Sequence, residues 1–262
     1  MDLELTGKTA VVTGAGRGIG LAIAQALSAE GVRVLGAARN VTPDLKAAAY
    51  ATVSADLSTP EGATAVVETS LSEFGGIDIL VNNVGGGDAG ELTLGGFLDI
   101  DNQQWRKLFD LNLFSAVWTT RAALPSIRER RGAIINISSI NSRLPALGPT
   151  GYSEAKAALT ALSKRLSEEF GPQGVRVNTV SPGVVGSSLW RGADGFGAKV
   201  AAASGVGHDE FLAAIPEQFG ISSGRITEPE EVAALVTFLA SEKAVNILGA
   251  DFVIDGGSVK TS

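Results

Sequence analysis

The 262-residue sequence predicts an α/β fold: one doubly wound domain over residues 1–262, with a mostly parallel seven-stranded sheet and helices on both faces. Three observations support this prediction. Short apolar runs of strand character alternate with helical patterns along the chain. No Pro- or Ser-rich linker is long enough to divide the chain into two domains. Apolar residues make up 45% of the sequence, which is enough to cover a sheet on both faces.

The individual elements follow from apolar periodicity. Strands are expected near residues 9–13, 32–37, 51–55, 77–82, 132–138, 175–180 and 250–254. Helices are expected near residues 18–30, 60–74, 102–129, 151–170 and 228–241. Because helical patterns separate the strands, the connections are expected to be right-handed crossovers between parallel strands.

Residues 186–220 break this alternation. Glycines in this segment are interleaved with four aromatic residues, Trp190, Phe196, Phe211 and Phe219. Glycine hinges and an apolar inner face predict a lid that closes over substrate. An ordinary surface loop with a short helix is the alternative. A second glycine-rich stretch, residues 85–96, is also expected to border the site.

A glycine-rich turn follows the first predicted strand and leads into an apolar helical pattern. Its glycines are Gly14, Gly16, Gly18 and Gly20. Glycine adopts positive φ readily and lets a ligand approach the backbone, while a helix N-terminus offers N–H groups to a pyrophosphate. The order strand, turn, helix therefore predicts a dinucleotide site, although such a turn can also serve only as a connection.

Tyr152 and Lys156 are four residues apart, so a helix places both side chains on one face. A free phenol has a pKa near ~10, and an adjacent ammonium favours the phenolate and lowers that pKa toward neutral pH. Ser139 lies thirteen residues before Tyr152. By itself, a Tyr–Lys pair on a helix is compatible with proton transfer and also with surface packing.

Together, the glycine turn and the Tyr152–Lys156 pair resemble the short-chain dehydrogenase/reductase family. Other segments are similar to family motifs: residues 82–85 (Asn-Asn-Val-Gly, with Val in place of Ala), 111–113 around Asn112, the strand ending at Ser139, Pro182-Gly183, and 255–257 (Asp-Gly-Gly). The resemblance extends from Gly7 to Gly257. It implies a Rossmann-type domain and an NAD(P)-dependent oxidoreductase.

The resemblance implies catalytic roles for four residues. Tyr152 would be the general acid or base, and Ser139 would hydrogen-bond the substrate oxygen. Lys156 would lower the pKa of Tyr152 and hold the nicotinamide ribose, while Asn112 would position a water in a proton relay. Ser138 is the neighbouring alternative to Ser139, and only one of the two should face the site because strand side chains alternate. A structural role for Asn112, bonding backbone between elements, carries equal weight.

The end of the second predicted strand bears on cofactor choice. An NAD site usually has a carboxylate there for the ribose 2′-hydroxyl, but Ala38 stands at that place and Arg39 follows it. A guanidinium offers donors to a 2′-phosphate, and Arg17 in the glycine turn could reach the same group. NADP(H) is therefore favoured over NAD(H), although each arginine could be an ordinary surface charge.

The full set of cofactor-binding residues implied by the resemblance is Gly14, Arg17, Gly18, Ile19, Gly20, Arg39, Asp56, Leu57, Asn83, Gly85, Tyr152, Lys156, Pro182, Gly183, Val185 and Ser187. Asp56 would bind adenine, with a helix N-cap as its competing role. Ser187 stands where the family often has Thr, so the hydroxyl is kept.

Composition excludes several other functions. The net charge of −7 argues against nucleic acid or an anionic membrane as the main partner. The absence of cysteine excludes disulfides and thiol catalysis, and no His/Cys cluster has metal-ligand spacing, so no metal is expected. No leader pattern or long apolar span is found, which predicts a cytoplasmic protein. His208, the single histidine, is expected to face solvent.

The predicted function is hydride transfer between NADP(H) and a ketone or secondary alcohol, as in a carbonyl reductase or alcohol dehydrogenase. The alternatives are an NAD(P)-dependent epimerase or dehydratase, and a non-catalytic nucleotide-binding regulator. Leu144, Pro145 and Leu147, with the lid aromatics, favour a fairly apolar small-molecule substrate. The resemblance also implies a homo-oligomer, tetramer or dimer. Its seam would include Trp105, Phe114 and Trp118, which could equally be core.

Overall fold

The computed structural model describes residues 2–86, 92 and 95–260. The strands in these residues are β1 (Thr9–Thr13), β2 (Arg33–Ala38), β3 (Ala51–Ser54), β4 (Ile79–Asn82), β5 (Ala133–Ile137), β6 (Arg176–Pro182) and β7 (Asp251–Ile254). The α-helices are α1 (Gly18–Ala29), α2 (Pro43–Ala48), α3 (Pro60–Phe74), α4 (Asn102–Phe109), α5 (Ser115–Arg130), α6 (Tyr152–Phe170), α7 (Ser188–Arg191), α8 (Phe196–Ala203), α9 (His208–Gln218) and α10 (Pro229–Ala240).

The strands form one parallel sheet in the order β3-β2-β1-β4-β5-β6-β7. Strand β1 pairs with β2 on one side and with β4 on the other, so Val11 lies between Leu35 and Leu80. The chain therefore reverses its direction of travel across the sheet at β1. This reversal opens a crevice at the carboxyl ends of β1 and β4, where α/β proteins bind ligands. The predicted fold class is confirmed.

Alternate side chains of the sheet enter two cores. Val12 and Val34 pack with α1 and α10 on one face, whereas Val11 and Leu35 pack with α3 and α5 on the other. These four side chains on the two faces of the sheet are fully buried, which explains why the strand sequences are continuous apolar runs. No helix within residues 2–86, 92 and 95–260 has the length and apolarity needed to cross a membrane.

Two helix starts are set by threonine caps. Thr42 accepts a hydrogen bond from the Leu45 amide at 3.2 Å, which begins α2, a helix that the apolar pattern did not predict. Thr59 accepts from the Gly62 amide at 3.1 Å and begins α3. Thr59 therefore fills the N-cap position that was considered for Asp56.

The predicted helix over residues 102–129 is interrupted. A π-helical turn over Asp110–Phe114 separates α4 from α5. Within it, the Asn112 amide donates to the Leu108 carbonyl at 3.0 Å. Widened turns of this kind occur frequently at functional sites because they redirect one side chain.

Residues 186–220 contain three short helices, α7, α8 and α9. Their aromatic side chains pack around Trp190, whose ring centroid lies 5.7 Å from that of Phe196, 6.4 Å from Phe211 and 5.8 Å from Phe219. His208 is half-buried, and its Nε2 lies 2.8 Å from the Trp190 carbonyl oxygen. The expectation that His208 faces solvent was wrong, because this contact joins α9 to α7.

Candidate active site

A cavity of about 930 Å³ lies at the carboxyl ends of the central strands. Its wall includes the residues that directly follow four of them: Gly14 after β1, Asn83 after β4, Ser138 and Ser139 after β5, and Gly183 after β6. This location is the switch-point crevice of the sheet. The volume is within the range of sites that hold cofactors and drug-sized ligands.

All of the residues predicted to bind cofactor line this one cavity. They are Gly14, Arg17, Gly18, Ile19, Gly20, Arg39, Asp56, Leu57, Asn83, Gly85, Tyr152, Lys156, Pro182, Gly183, Val185 and Ser187. Ser139 also lines the cavity wall, whereas Asn112 lies behind it. Of the glycine-rich stretch 85–96, residues 87–91, 93 and 94 lie outside the described residues, while Gly85, Gly86, Leu92 and Gly95 face the cavity.

The glycine turn is shaped for close backbone approach. Gly14 and Gly18 have φ of 65° and 55°, in the region that other residues rarely adopt. A Cβ at Gly20 would lie 2.3 Å from the Gly14 carbonyl oxygen, so the turn cannot close around a larger residue. The Asn83 side chain donates to the carbonyl oxygens of Thr13 and Gly14, at 3.0 and 3.2 Å. Asn83 thus fixes the turn to β4.

The end of β2 forms one end of the cavity. Ala38 is buried there and Arg39 follows it on the cavity wall. Asp56 accepts hydrogen bonds from the Ser58 hydroxyl at 2.7 Å and the Ser58 amide at 3.0 Å. The Ser58 hydroxyl bond is the main cause that lowers the pKa of Asp56, and the charge of Arg39 adds to it.

The two neighbouring serines point in different directions. Ser138 Oγ donates to the Lys156 carbonyl oxygen at 3.1 Å and lies 2.8 Å from Thr160 Oγ1, so it fastens β5 to α6. Ser139 Oγ accepts from the Asn141 amide at 3.2 Å and lies close enough to the phenol of Tyr152 to lower its pKa. Strand alternation therefore places Ser139, rather than Ser138, beside the phenol.

Tyr152 and Lys156 lie in the first turns of α6, where Lys156 is buried and Tyr152 is half-buried. The Lys156 ammonium is 5.8 Å from the centre of the Tyr152 ring and donates to the Ile137 carbonyl oxygen at 2.8 Å. Burial lowers the pKa of Lys156 to about 7. Burial also raises the pKa of Tyr152, opposed by the Ser139 hydrogen bond. The prediction that Lys156 lowers the pKa of Tyr152 was wrong, because desolvation of the phenol dominates and raises that pKa.

Asn112 is fully buried and uses its amide on the backbone. Its Oδ1 accepts from the Gly86 amide at 2.8 Å, and its Nδ2 donates to the Leu108 carbonyl. Gly85 passes between two side chains, because a Cβ there would lie 2.6 Å from Lys156 Nζ and 2.9 Å from Asn112 Oδ1. The structural role weighed for Asn112 is therefore present, and its part in a proton relay stays a prediction.

The other end of the cavity is apolar. Its wall there consists of Leu92, Leu147, Leu189, Trp190, Phe196, Val200 and Phe219, with Asn141, Thr150 and Ser188 as polar neighbours. Among the described residues, the charged side chains on the whole wall are Arg17, Arg39, Asp56 and Lys156. The sequence did not single out Leu92, Leu189 or Val200, because spacing within a glycine-rich segment does not show which side chains face inward.

Known proteins share this architecture. A family model described as an enoyl-(acyl carrier protein) reductase matches residues 14–259. The 3-alpha-(or 20-beta)-hydroxysteroid dehydrogenase of Mycobacterium tuberculosis is 35% identical over 269 aligned residues, covering 99% of this chain and 92% of that protein. The 3-oxoacyl-(acyl-carrier-protein) reductase FabG of Vibrio cholerae is 32% identical, covering 97% and 98%.

A solved structure agrees with these relatives. L-Sorbose reductase from Gluconobacter frateurii, complexed with NADPH and L-sorbose, has a TM-score of 0.90 and 33% identity to this chain, and the match covers both chains completely. The protein belongs to the short-chain dehydrogenase/reductase family. It is an oxidoreductase of that family.

Proposed function

We propose that the protein transfers a hydride between NADP(H) and an uncharged, apolar ketone or secondary alcohol. One observation carries this proposal: Ser139, Tyr152 and Lys156 meet in the wall of the same cavity as the glycine turn. A proton donor and a dinucleotide cradle in one cavity are the two parts that carbonyl reduction requires.

The cavity fits a nicotinamide dinucleotide. Glycines at positions 14, 18 and 20 leave the turn open to a pyrophosphate at the N-terminus of α1. Arg17 and Arg39 would hold the 2′-phosphate, with no carboxylate at Ala38 to repel it. The NADPH of L-sorbose reductase, a relative of the same fold, supports this choice. When bound, the cofactor supplies or accepts the hydride.

At the opposite end, Lys156 would hold the nicotinamide ribose and the Val185 backbone would meet the carboxamide. The Lys156 ammonium already makes one buried hydrogen bond, to the Ile137 carbonyl. Its two remaining N–H groups are suited to a pair of ribose hydroxyls. With the ribose and the carboxamide held in this way, the reactive end of the cofactor would lie next to Tyr152 and Ser139.

The proton chemistry belongs to the side chains. In reduction, Tyr152 Oη gives its proton to the carbonyl oxygen as that oxygen gains negative charge, and Ser139 Oγ donates a hydrogen bond to the same oxygen. In oxidation, the phenolate of Tyr152 takes the hydroxyl proton. The charged form of Lys156 stabilises that phenolate. Because the pKa of Lys156 is about 7, its charged and neutral forms are both populated near neutral pH.

The apolar wall determines the proposed substrate class. Near Tyr152 the described wall has aliphatic and aromatic side chains, and its nearest charged group is Lys156. On the described wall near Tyr152, a carboxylate or phosphate of the substrate would find only Lys156 as a counter-charge, and that ammonium already donates to the Ile137 carbonyl oxygen and is assigned to the ribose, so desolvation of the anion would be poorly compensated. We therefore favour a compact apolar ketone over a phosphorylated or acidic one. Residues 186–220 would be the lid over this end.

A substrate panel tests the proposal. Consumption of NADPH should be measured with a bicyclic ketone, a polyhydroxylated ketose and a keto acid of similar size. The proposal expects kcat/KM for the bicyclic ketone to exceed that for the keto acid by at least about 100-fold. Turnover that favours the keto acid would contradict the substrate class. Substrate conversion without net cofactor consumption would instead indicate an epimerase or dehydratase.

Self-association is a second part of the proposal. The ring of Phe114, the last residue of the π-helical turn, stacks on that of Trp118 in α5 with centroids 5.7 Å apart, and Phe114 is 39% exposed. Trp105 is half-buried between Phe97 and Phe109. Trp118 also packs against the core between the sheet and helices α3 and α5, while Phe114 and Trp105 keep part of their surface exposed, which fits the homo-oligomer seam expected for this family. Sedimentation of the protein with and without a Phe114→Lys substitution would test it.

A further inference from the structure

A bidentate ion pair joins α7 to the start of α10. Arg191, the last residue of α7, donates to both carboxylate oxygens of Glu228, at 2.8 and 2.6 Å. The same guanidinium donates to the Gly186 carbonyl oxygen at 3.2 Å. Glu228 immediately precedes α10. The Arg191 side chain therefore connects the segment after β6 to the start of α10.

Gly186 makes room for this guanidinium. A Cβ at position 186 would lie 2.4 Å from Arg191 Cζ, and the nearest atoms it would meet all belong to that guanidinium. The Gly186 backbone is itself anchored, since its amide donates to the Thr227 carbonyl at 2.8 Å. Val185 forms a parallel bridge with Thr227. The ion pair thus lies at the end of a short backbone ladder between residues 184–186 and Thr227.

The segment held in this way crosses the cofactor cavity. Val185 and Ser187 lie on the cavity wall, and Ser187 caps α7 by accepting from the Leu189 amide at 3.3 Å. A Cβ at Gly18 would lie 3.1 Å from Ser187 Cβ. The start of α7 therefore rests directly against the glycine turn, on the side from which a dinucleotide would be covered.

We propose that Arg191 and Glu228 form a clasp that holds residues 183–191 closed over the cofactor and thereby slows cofactor release. This inference rests on the proposed function, because it assumes a dinucleotide in the cavity. Arg191 and Glu228 are positioning residues: they act through Gly186 and Ser187, and their own side chains are outside the cavity wall.

The electrostatics of the pair agree with this role. The hydrogen bonds from Arg191 lower the pKa of Glu228, and those same bonds raise the pKa of Arg191, so both groups are charged throughout the neutral range. Their side chains are 44% and 40% exposed, so salt screens the attraction. An exposed ion pair of this kind stabilises the closed segment only modestly. This suits a clasp that must open in each catalytic cycle to release the cofactor.

A neighbouring ion pair provides the matched control. Arg225 and Glu231 form a second bidentate contact at the start of α10, at 2.7 and 2.7 Å, and the Arg225 guanidinium otherwise donates to the Ile226 carbonyl oxygen at 3.3 Å. The test variants are Arg191→Met, Glu228→Gln and Gly186→Ala. Gly186→Ala keeps both charges but displaces the guanidinium, because its Cβ would occupy the same space. Arg225→Met removes an equivalent ion pair at the start of the same helix, whose carboxylate also accepts from the Glu228 amide, and leaves Arg191 and Gly186 unchanged.

Two measurements decide the proposal. Amide hydrogen exchange of residues 183–191 in the cofactor-free protein reports how firmly the segment is held. Stopped-flow displacement of prebound NADPH reports the cofactor dissociation rate. All three test variants should accelerate the amide exchange of residues 183–191 and the dissociation of NADPH, the latter by about two- to fivefold. Arg225→Met should leave both rates near those of wild type. Raising salt should accelerate release from wild type more than from Arg191→Met.

The outcomes separate the clasp from the proposed function. Unchanged exchange in the test variants would overturn the clasp, and so would faster exchange with an unchanged dissociation rate. Equal effects of Arg225→Met would show that general stability of α10 is responsible, which also overturns it. If wild-type protein bound neither NADPH nor NADH, the proposed function would fail, and the clasp's effect on release would fail with it.

Discussion

Lys156 Nζ donates to the carbonyl oxygen of Ile137 at 2.8 Å, at the end of β5. This bond fixes a lysine that is 2% exposed, next to the phenol of Tyr152. An ammonium group is costly to bury without a carboxylate, and the pKa of Lys156 falls to about 7 as a result. The protein thus keeps a lysine whose charged form is destabilised by burial at the site where the proposed chemistry uses it.

The burial of Lys156 makes stability depend on pH. Its pKa is lower in the folded chain than in the unfolded chain, so the unfolded chain binds more protons between pH 7 and pH 10.5. The contribution of Lys156 to the free energy of unfolding therefore becomes more favourable as pH rises through that range, and it is least favourable below about pH 7. Replacing Lys156 with Met removes this dependence.

We expect wild type to gain roughly 3–5 kcal/mol of unfolding free energy relative to Lys156→Met between pH 6 and pH 10. Denaturant unfolding at these two pH values measures the difference. Lys164→Met, at a 60% exposed lysine of the same helix, is the control and should show no comparable trend. A constant difference between wild type and Lys156→Met would refute the buried, weakly basic lysine.

The two serines after β5 should differ in effect. Ser139→Ala removes the hydroxyl beside the Tyr152 phenol and with it the proposed donor to the substrate oxygen, so kcat should fall by about 10²–10³-fold. Ser138→Ala removes contacts with Lys156 and Thr160 instead, so it should lower the unfolding free energy by about 1 kcal/mol with little effect on kcat. Steady-state kinetics and denaturant unfolding of both variants measure this. Equal losses of kcat would contradict the assignment.

Cofactor preference should depend on Arg39. Arg39→Asp places a carboxylate next to the position expected for the 2′-phosphate, so the ratio of NADPH to NADH affinity should fall by about tenfold or more. Arg165→Asp makes the same charge change on exposed α6 surface and is the control. Fluorescence titration with both cofactors gives the ratio. If Arg39→Asp and Arg165→Asp behave alike, Arg39 plays no part in the preference.

Much of the fold could be predicted from the sequence because buried parallel strands leave strong apolar runs. Six of the strands begin within one residue of their predicted start, and β4 begins at Ile79, two residues after its predicted start, where the Asp78 carboxylate accepts from the Thr9 amide and hydroxyl. Helix α2 was missed because six residues with one buried leucine give no measurable period. The glycines of the turn after β1 and Tyr152 could be predicted because the spacing of the glycines, and that of Tyr152 from Lys156 and Ser139, is visible in the sequence.

Other features needed three dimensions. The π-helical turn at Asn112 arises from long-range contacts, including the Gly86 amide, that no local pattern shows. The contact between His208 and the Trp190 carbonyl joins two helices of a segment that reads as a loop. The raised pKa of Tyr152 depends on desolvation by residues from across the fold, which outweighs the opposing effect of Ser139, and a local sequence pattern does not show this.

The most direct test of the proposed chemistry is a Tyr152→Phe substitution, examined by NADPH titration and by turnover of the bicyclic ketone. Loss of one hydroxyl should leave cofactor affinity within about threefold of wild type, because the glycine turn and Lys156 are unchanged. Turnover should fall by about 10²–10⁴-fold, because the carbonyl oxygen loses its proton donor. Turnover near the wild-type rate would contradict the assignment of Tyr152 as the group that protonates the substrate.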